Sequence, residues 1–123
     1  MKPTLTDRLL VQVMTSQAMN GVITPDVTAA TVCENGERWD LKFYLKGPIC
    51  EEVQQDLVEV GGDASSMLDC QYPSEIKHTD AIYWPFEVEL IVDPEHSALR
   101  AAVKENAMLI VVFSVYISGG SLR

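Results

Sequence analysis

The stretch VTAATVCENGERWDLKFYLK, residues 27–46, decides the fold. Its second half alternates. Trp39, Leu41, Phe43 and Leu45 fall on one side, and Arg38, Asp40, Lys42 and Tyr44 on the other. Successive side chains of a strand point to opposite faces, so a period of two predicts a strand over Arg38–Lys46 with one buried and one wet face. Val27–Glu34 reads as the strand before it. Glu34-Asn35-Gly36-Glu37 joins the two as a hairpin, because Asn-Gly accepts the two positive φ angles of a type I′ turn.

On the N-terminal side the period changes to that of a helix. Thr4 is placed to cap it, with Asp7 three residues on in a capping-box pattern. Leu9, Leu10, Val13, Met14 and Ala18 are expected on one buried face. Asn20-Gly21 is the expected stop, since glycine takes the left-handed conformation without a Cβ clash.

On the C-terminal side Gly47-Pro48 opens a loop before a second helix. Glu51 and Glu52 favour its N-terminus electrostatically. Val53, Leu57, Val60, Ala64 and Met67 or Leu68 give its apolar face. Gly61-Gly62 predicts either a kink or a place where the helix backbone lies against another element. Phe86–Val92 alternates again as a strand. Asp93-Pro94-Glu95 reads as a helix start, with a capping aspartate and a proline at the first helical position, and the helix is expected to reach about Asn106. Leu109–Ile117 is almost wholly apolar and β-branched, which predicts a central strand covered on both faces. The order is therefore α-β-β-α-β-α-β. The expected fold class is α+β: a single domain over residues 1–123, with a mixed, mostly antiparallel sheet packed by helices.

A chain of 123 residues with 47% hydrophobic and 22% charged residues can bury a real core, so disorder is excluded. Three cysteines, Cys33, Cys50 and Cys70, in no regular spacing argue against a disulfide framework and for a reducing, cytoplasmic setting. Residues 1–8 do not look like a signal peptide. The longest apolar run, Ala107–Ile117, is about half of what a membrane helix needs, so no membrane partner is expected. The net charge is -9, and it is concentrated. From Glu51 to Glu95 twelve acids face one base, Lys77. Such a field repels nucleic acid, excluding it as a partner, and speeds encounter with a basic protein.

No pattern for chemistry emerges. His78 and His96 stand in no metal-binding frame, so no metal and no cofactor is expected. There is no nucleophile elbow. Cys50 before the second helix reads as a stand-in for a capping serine rather than an activated thiolate. Acid pairs such as Glu87/Glu89 lack the sugar-stacking aromatics that glycosidase chemistry requires. Glu95 with His96 is the remaining acid–histidine pairing for an enzyme reading, and the expectation is that the chain is not an enzyme. Tyr72, Tyr83 and Trp84 lie among Asp69, Glu75 and Asp80. Aromatics among acids suit a recognition surface, the alternative being that Trp84 and Phe86 cover the edge of the core.

Three segments carry a resemblance to a known family: Gly21-Val22-Ile23-Thr24-Pro25, Leu41-Lys42-Phe43-Tyr44 and Gly47-Pro48-Ile49-Cys50-Glu51-Glu52. In these the chain resembles small bacterial immunity proteins of contact-dependent inhibition and related polymorphic toxin systems. It departs from them at Cys50 and at Gly61-Gly62. The resemblance implies a protein that binds a cognate toxin, such as a nuclease with a basic active site, and blocks it. Glu51, Glu52, Asp56, Glu59, Asp63, Asp69, Glu75 and Asp80 would then meet toxin lysines and arginines, with Tyr72, Tyr83 and Trp84 as anchors. The alternative reading is a homo-oligomeric structural or interaction protein without a toxin partner, a homodimer for example, pairing through its apolar final strand.

Overall fold

The computed structural model describes residues 2–22, 24–71, 76–105 and 108–111. The first helix, α1 (Leu5–Ala18), starts where the capping box places it. Thr4 Oγ1 accepts from the Asp7 N–H at 3.1 Å, and Asp7 Oδ2 accepts from the Thr4 N–H at 2.8 Å. It ends before Gly21, whose φ of +80° is the left-handed stop that was expected. The buried face is rotated from the expected one. Leu10, Met14 and Ala18 are buried as expected, joined by Asp7, Val11 and Thr15, while Leu9 and Val13 remain 49% and 46% exposed. Two polar residues on the core side disguised the stripe. Asp7 accepts from Thr4 and from the distant Thr79, and Thr15 Oγ1 donates back to the Val11 carbonyl at 2.7 Å.

Strands β1 (Val27–Glu34) and β2 (Trp39–Leu45) form the antiparallel hairpin, with Glu34 opposite Trp39. The turn is displaced by one residue from its expected centre. Asn35 N–H donates to the Arg38 carbonyl at 2.9 Å, so the loop is Gly36-Glu37, and Gly36 alone takes a positive φ, +63°. Glycine at 36 supplies that left-handed residue without a Cβ clash. Trp39, Leu41, Phe43 and Leu45 are buried as expected, but the other face of β2 is not wholly wet. Tyr44 is fully buried, and its hydroxyl shares a 2.9 Å hydrogen bond with Thr31 Oγ1.

Helix α2 (Glu51–Gln71) buries Leu57, Val60, Ala64 and Leu68, as their spacing requires. Gly61 is the close approach anticipated above. A Cβ built there would lie 2.8 Å from Val88 Cγ2 and 3.2 Å from Phe86 Cβ, whereas one at Gly62 would meet open space. A single 3₁₀ turn at Asp80–Tyr83 leads into β3 (Phe86–Val92), which pairs parallel to β2. The third helix, α3, covers Ser97–Lys104 and so begins three residues later than a cap at Asp93 suggested. Asp93 still caps it, but from outside. Its carboxylate accepts from the Ala98 and Leu99 N–H groups at 3.1 and 2.9 Å and from Ser97 Oγ at 3.3 Å. His96 makes the intervening turn with φ +62°, in the left-handed region.

Strand β4 (Met108–Val111) runs antiparallel to β1, giving the order β3-β2-β1-β4. Its described residues lie at an edge of the sheet rather than in its centre. Residues 112–117 of the expected final strand lie outside the described residues. The arrangement is α+β: three helices on a mixed sheet, in the order read from the sequence. One face of the sheet carries the main core, closed by α1, α2 and the 3₁₀ turn. Trp39 Nε1 donates to the Ala81 carbonyl at 2.8 Å inside it. The second face carries a small cluster of Ala29, Tyr44 and Leu99 with Ile91, Ala98 and Ala102, closed among the described residues by α3.

Candidate partner-binding face

The helical layer presents most of the acids singled out in the sequence. Burying Leu57, Val60, Ala64 and Leu68 fixes the rotation of α2, and Glu51, Glu52, Asp56, Glu59, Asp63 and Asp69 are all left exposed. Glu52, Asp56, Glu59 and Asp63 follow at steps of four, three and four, which places them in one stripe along the helix. Glu51 and Asp69 sit outside that stripe, at opposite ends of the helix.

The helix carries no lysine or arginine. The ion pairs among the described residues are Arg8–Glu34, Arg38–Asp40 and Arg38–Glu87, and none reaches α2. Among the described residues, Glu59 is the one acid of α2 that receives a side-chain hydrogen bond, from Gln55 at 3.4 Å. Like charges at i, i+4, as in Glu52/Asp56 and Glu59/Asp63, each cost a helix about 0.2–0.5 kcal/mol. Asp69, in the last two turns, also opposes the helix dipole. Glu51 and Glu52 suit the helix N-terminus, but the acids beyond the first turn are held against the helix's own electrostatic preference.

Asp80 is exposed on the 3₁₀ turn, and Tyr83 beside it is 44% exposed with its ring edge-on to His78, centroids 5.7 Å apart. Trp84 is half-buried. It packs against the main core with its ring 5.7 Å from that of Trp39, which makes it part of the core's edge, and Phe86 packs there too. Tyr72 and Glu75 lie outside the described residues.

The other side of the sheet holds a concavity that no local sequence signal marks. Helix α3 is only two turns long and faces the strands with Leu99 and the small Ala98 and Ala102, so among the described residues the hairpin end of that face stays open. A cleft of about 390 Å³ results, lined by Thr31, Cys33, Asp40, Lys42, Ala98 and Glu105 among others. Burial, reinforced by Glu34 and Asp40, pushes the Cys33 thiol above its usual range, so it is protonated at neutral pH and a poor nucleophile. Neither Glu95 nor His96 lines the cleft. Cys50 and Cys70 are exposed and unpaired. Among the described residues no three of His, Cys, Asp and Glu converge as metal ligands, and no helix is long and apolar enough to cross a membrane.

Compared with known proteins, the chain matches no family model, no curated sequence and no solved structure.

Proposed function

We propose that this chain is a cytoplasmic binding protein of the immunity type, not an enzyme, and that it neutralises a cognate toxin of basic surface, such as a nuclease, by seating it against α2. One observation carries the reading: the six exposed acids of α2, with no base on the helix and none of the ion pairs among the described residues reaching them. A helix that bears like charge at a cost to its own stability is suited to a partner that supplies the opposite charge. Such pairs act mainly on association rate and specificity. The resemblance at Gly47–Glu52 supports the same reading, because that motif opens this helix. Tyr83, exposed at the C-terminal end of the same layer, is the aromatic contact the reading assigns to the interface.

The test is a pull-down with the chain as bait and the product of the gene immediately upstream as an inactive fragment. The expected result is a complex that weakens as salt rises and that loses at least tenfold in association rate when Glu52, Asp56 and Glu59 are replaced by lysine. Unchanged binding by that triple variant would remove α2 from the interface.

A further inference from the structure

The sheet has one edge that the fold leaves open. Strand β3 pairs with β2 on one side, and among the described residues no strand pairs with its other side. The two ends of the ladder fix which backbone groups face out. Trp39 N–H donates to the Pro85 carbonyl at 2.9 Å, and Asp93 N–H donates to the Leu45 carbonyl at 2.8 Å. In the unbroken parallel register between them, Glu87, Glu89 and Ile91 turn their N–H and C=O groups toward β2. Phe86, Val88, Leu90 and Val92 therefore turn theirs toward the open edge. Proteins blunt such edges with proline, lysine or a bulge, and Phe86–Val92 contains none of the three.

The side chains give this edge two different flanks. On the α2 side, Phe86, Val88 and Leu90 are only partly buried against the main core. Val92 beyond them is 55% exposed. Val58 is 46% exposed and lies one turn before Gly61, where α2 rests on Val88. The opposite flank carries Glu87 and Glu89, both exposed. A groove of about 310 Å³ is lined by Arg38, Asp40, Glu87, Val88 and Glu89. Arg38, its one base, is already paired with Asp40 and Glu87, and none of the ion pairs among the described residues reaches Glu89.

We propose that this edge takes up an extended segment of a partner protein as an added strand, in which lysine or arginine alternates with aliphatic residues. The main chain of the segment meets the free groups of Phe86, Val88, Leu90 and Val92. Because successive side chains of a strand point to opposite faces, its aliphatic residues pack toward Val58 and Val88 while its bases lie beside Glu87 and Glu89. Charge rejects the simplest other occupant, a second copy. Antiparallel pairing of β3 with itself about Val88 or Glu89 sets acid opposite acid, which destabilises a strand pair. The proposal does not rest on the reading of α2, since the edge of β3 and the acidic stripe of α2 are separate surfaces.

Fluorescence anisotropy of a labelled peptide of about nine residues, alternating lysine and valine, titrated with the full chain to about 1 mM, tests this. The expected result is saturable binding that weakens at least tenfold in the Glu87→Lys, Glu89→Lys double variant. That variant should instead bind the peptide with glutamate in place of lysine. Methylating one alternate set of the peptide's amide nitrogens should weaken binding at least tenfold, and methylating the other set should leave it unchanged, because an added strand turns only one set toward β3. In the free chain the amides of Val88 and Leu90 should exchange with solvent faster than that of Glu89, and the peptide should slow them. Absence of binding at 1 mM overturns the proposal, as does an equal response to the two methylated peptides or indifference to the double variant. The Glu52→Lys, Asp56→Lys, Glu59→Lys variant should bind the peptide within about twofold of wild type. A tenfold loss there would place the peptide on α2 and also overturn the proposal, while leaving the reading of α2 intact.

Discussion

Two buried carboxylates set the details of this structure at the residue scale. Asp7 closes the capping box of α1 and at the same time accepts from the Thr79 N–H and Oγ1 at 2.8 and 2.7 Å, which ties the helix to the segment that enters the 3₁₀ turn. Asp93 holds the first turn of α3. In both, burial opposes ionisation, but the donors outweigh it, and each carboxyl is held below its ordinary value of 3.8. A folded value below the unfolded one means that the stabilisation is fully present above about pH 4 and is lost as pH falls through the folded value. Asp7→Asn should therefore cost about 1–3 kcal/mol in urea denaturation at neutral pH, because one acceptor oxygen and the charge are removed from three donors. The deficit relative to wild type should shrink as pH falls below about 4 toward the lowered folded value. A deficit that stayed constant with pH would show that packing, not the ionised acceptor, is what the substitution disturbs. The capping role of Asp7 was legible from Thr4-x-x-Asp7, but its link to Thr79 was not, because that contact joins residues 72 positions apart.

At the scale of elements, local signals succeeded where each was single-valued and failed where one residue served two neighbours. Phe86–Val92 and the start of α2 were legible because alternation and a charged first turn have one reading. The hairpin turn slipped by one residue because Asn35-Gly36 and Gly36-Glu37 both suit a tight turn, and the pairing of Glu34 with Trp39 decides between them. The buried face of α1 was misread because Asp7 and Thr15 look like surface residues until their partners are known. The Gly61-Gly62 pair divides in the same way. Both glycines cost helix propensity, about 1 kcal/mol each relative to alanine, but only Gly61 gains something in return, contact with β3. Gly62→Ala should therefore stabilise the chain by about 0.5–1 kcal/mol. Gly61→Ala should destabilise it by about 1–2 kcal/mol, since Val88 must turn away and Phe86 has little room. Thermal melts of the two variants check this, and shifts of the same sign would mean that α2 does not rest on β3 through Gly61.

For the whole molecule, the class of fold was legible and the arrangement was not. Seven elements and their periods can be read locally, but the parallel pairing of β2 with β3 and the edge position of β4 depend on which surfaces the helices cover. The cleft beside Lys42 is equally non-local, since it arises from the shortness of α3. What the sequence carried directly was charge, and charge links stability to function here. A net charge of -9 with its acids unpaired on α2 makes the free chain repel itself, so salt should stabilise the fold while it weakens a complex with a basic partner. Asp63→Lys makes the same exchange in one residue. It places a lysine four residues after Glu59, the favourable order for a helical pair, and removes an acid from the C-terminal half of the helix. The free chain should gain about 0.3–1 kcal/mol, read as a higher urea midpoint at low salt that converges with wild type at high salt. Association with a basic partner should slow several-fold at low salt. A variant that is more stable and binds just as fast would mean that the acids of α2 are carried for some reason other than recognition. A loss of both stability and binding would mean that Asp63 has a structural role that its exposure conceals.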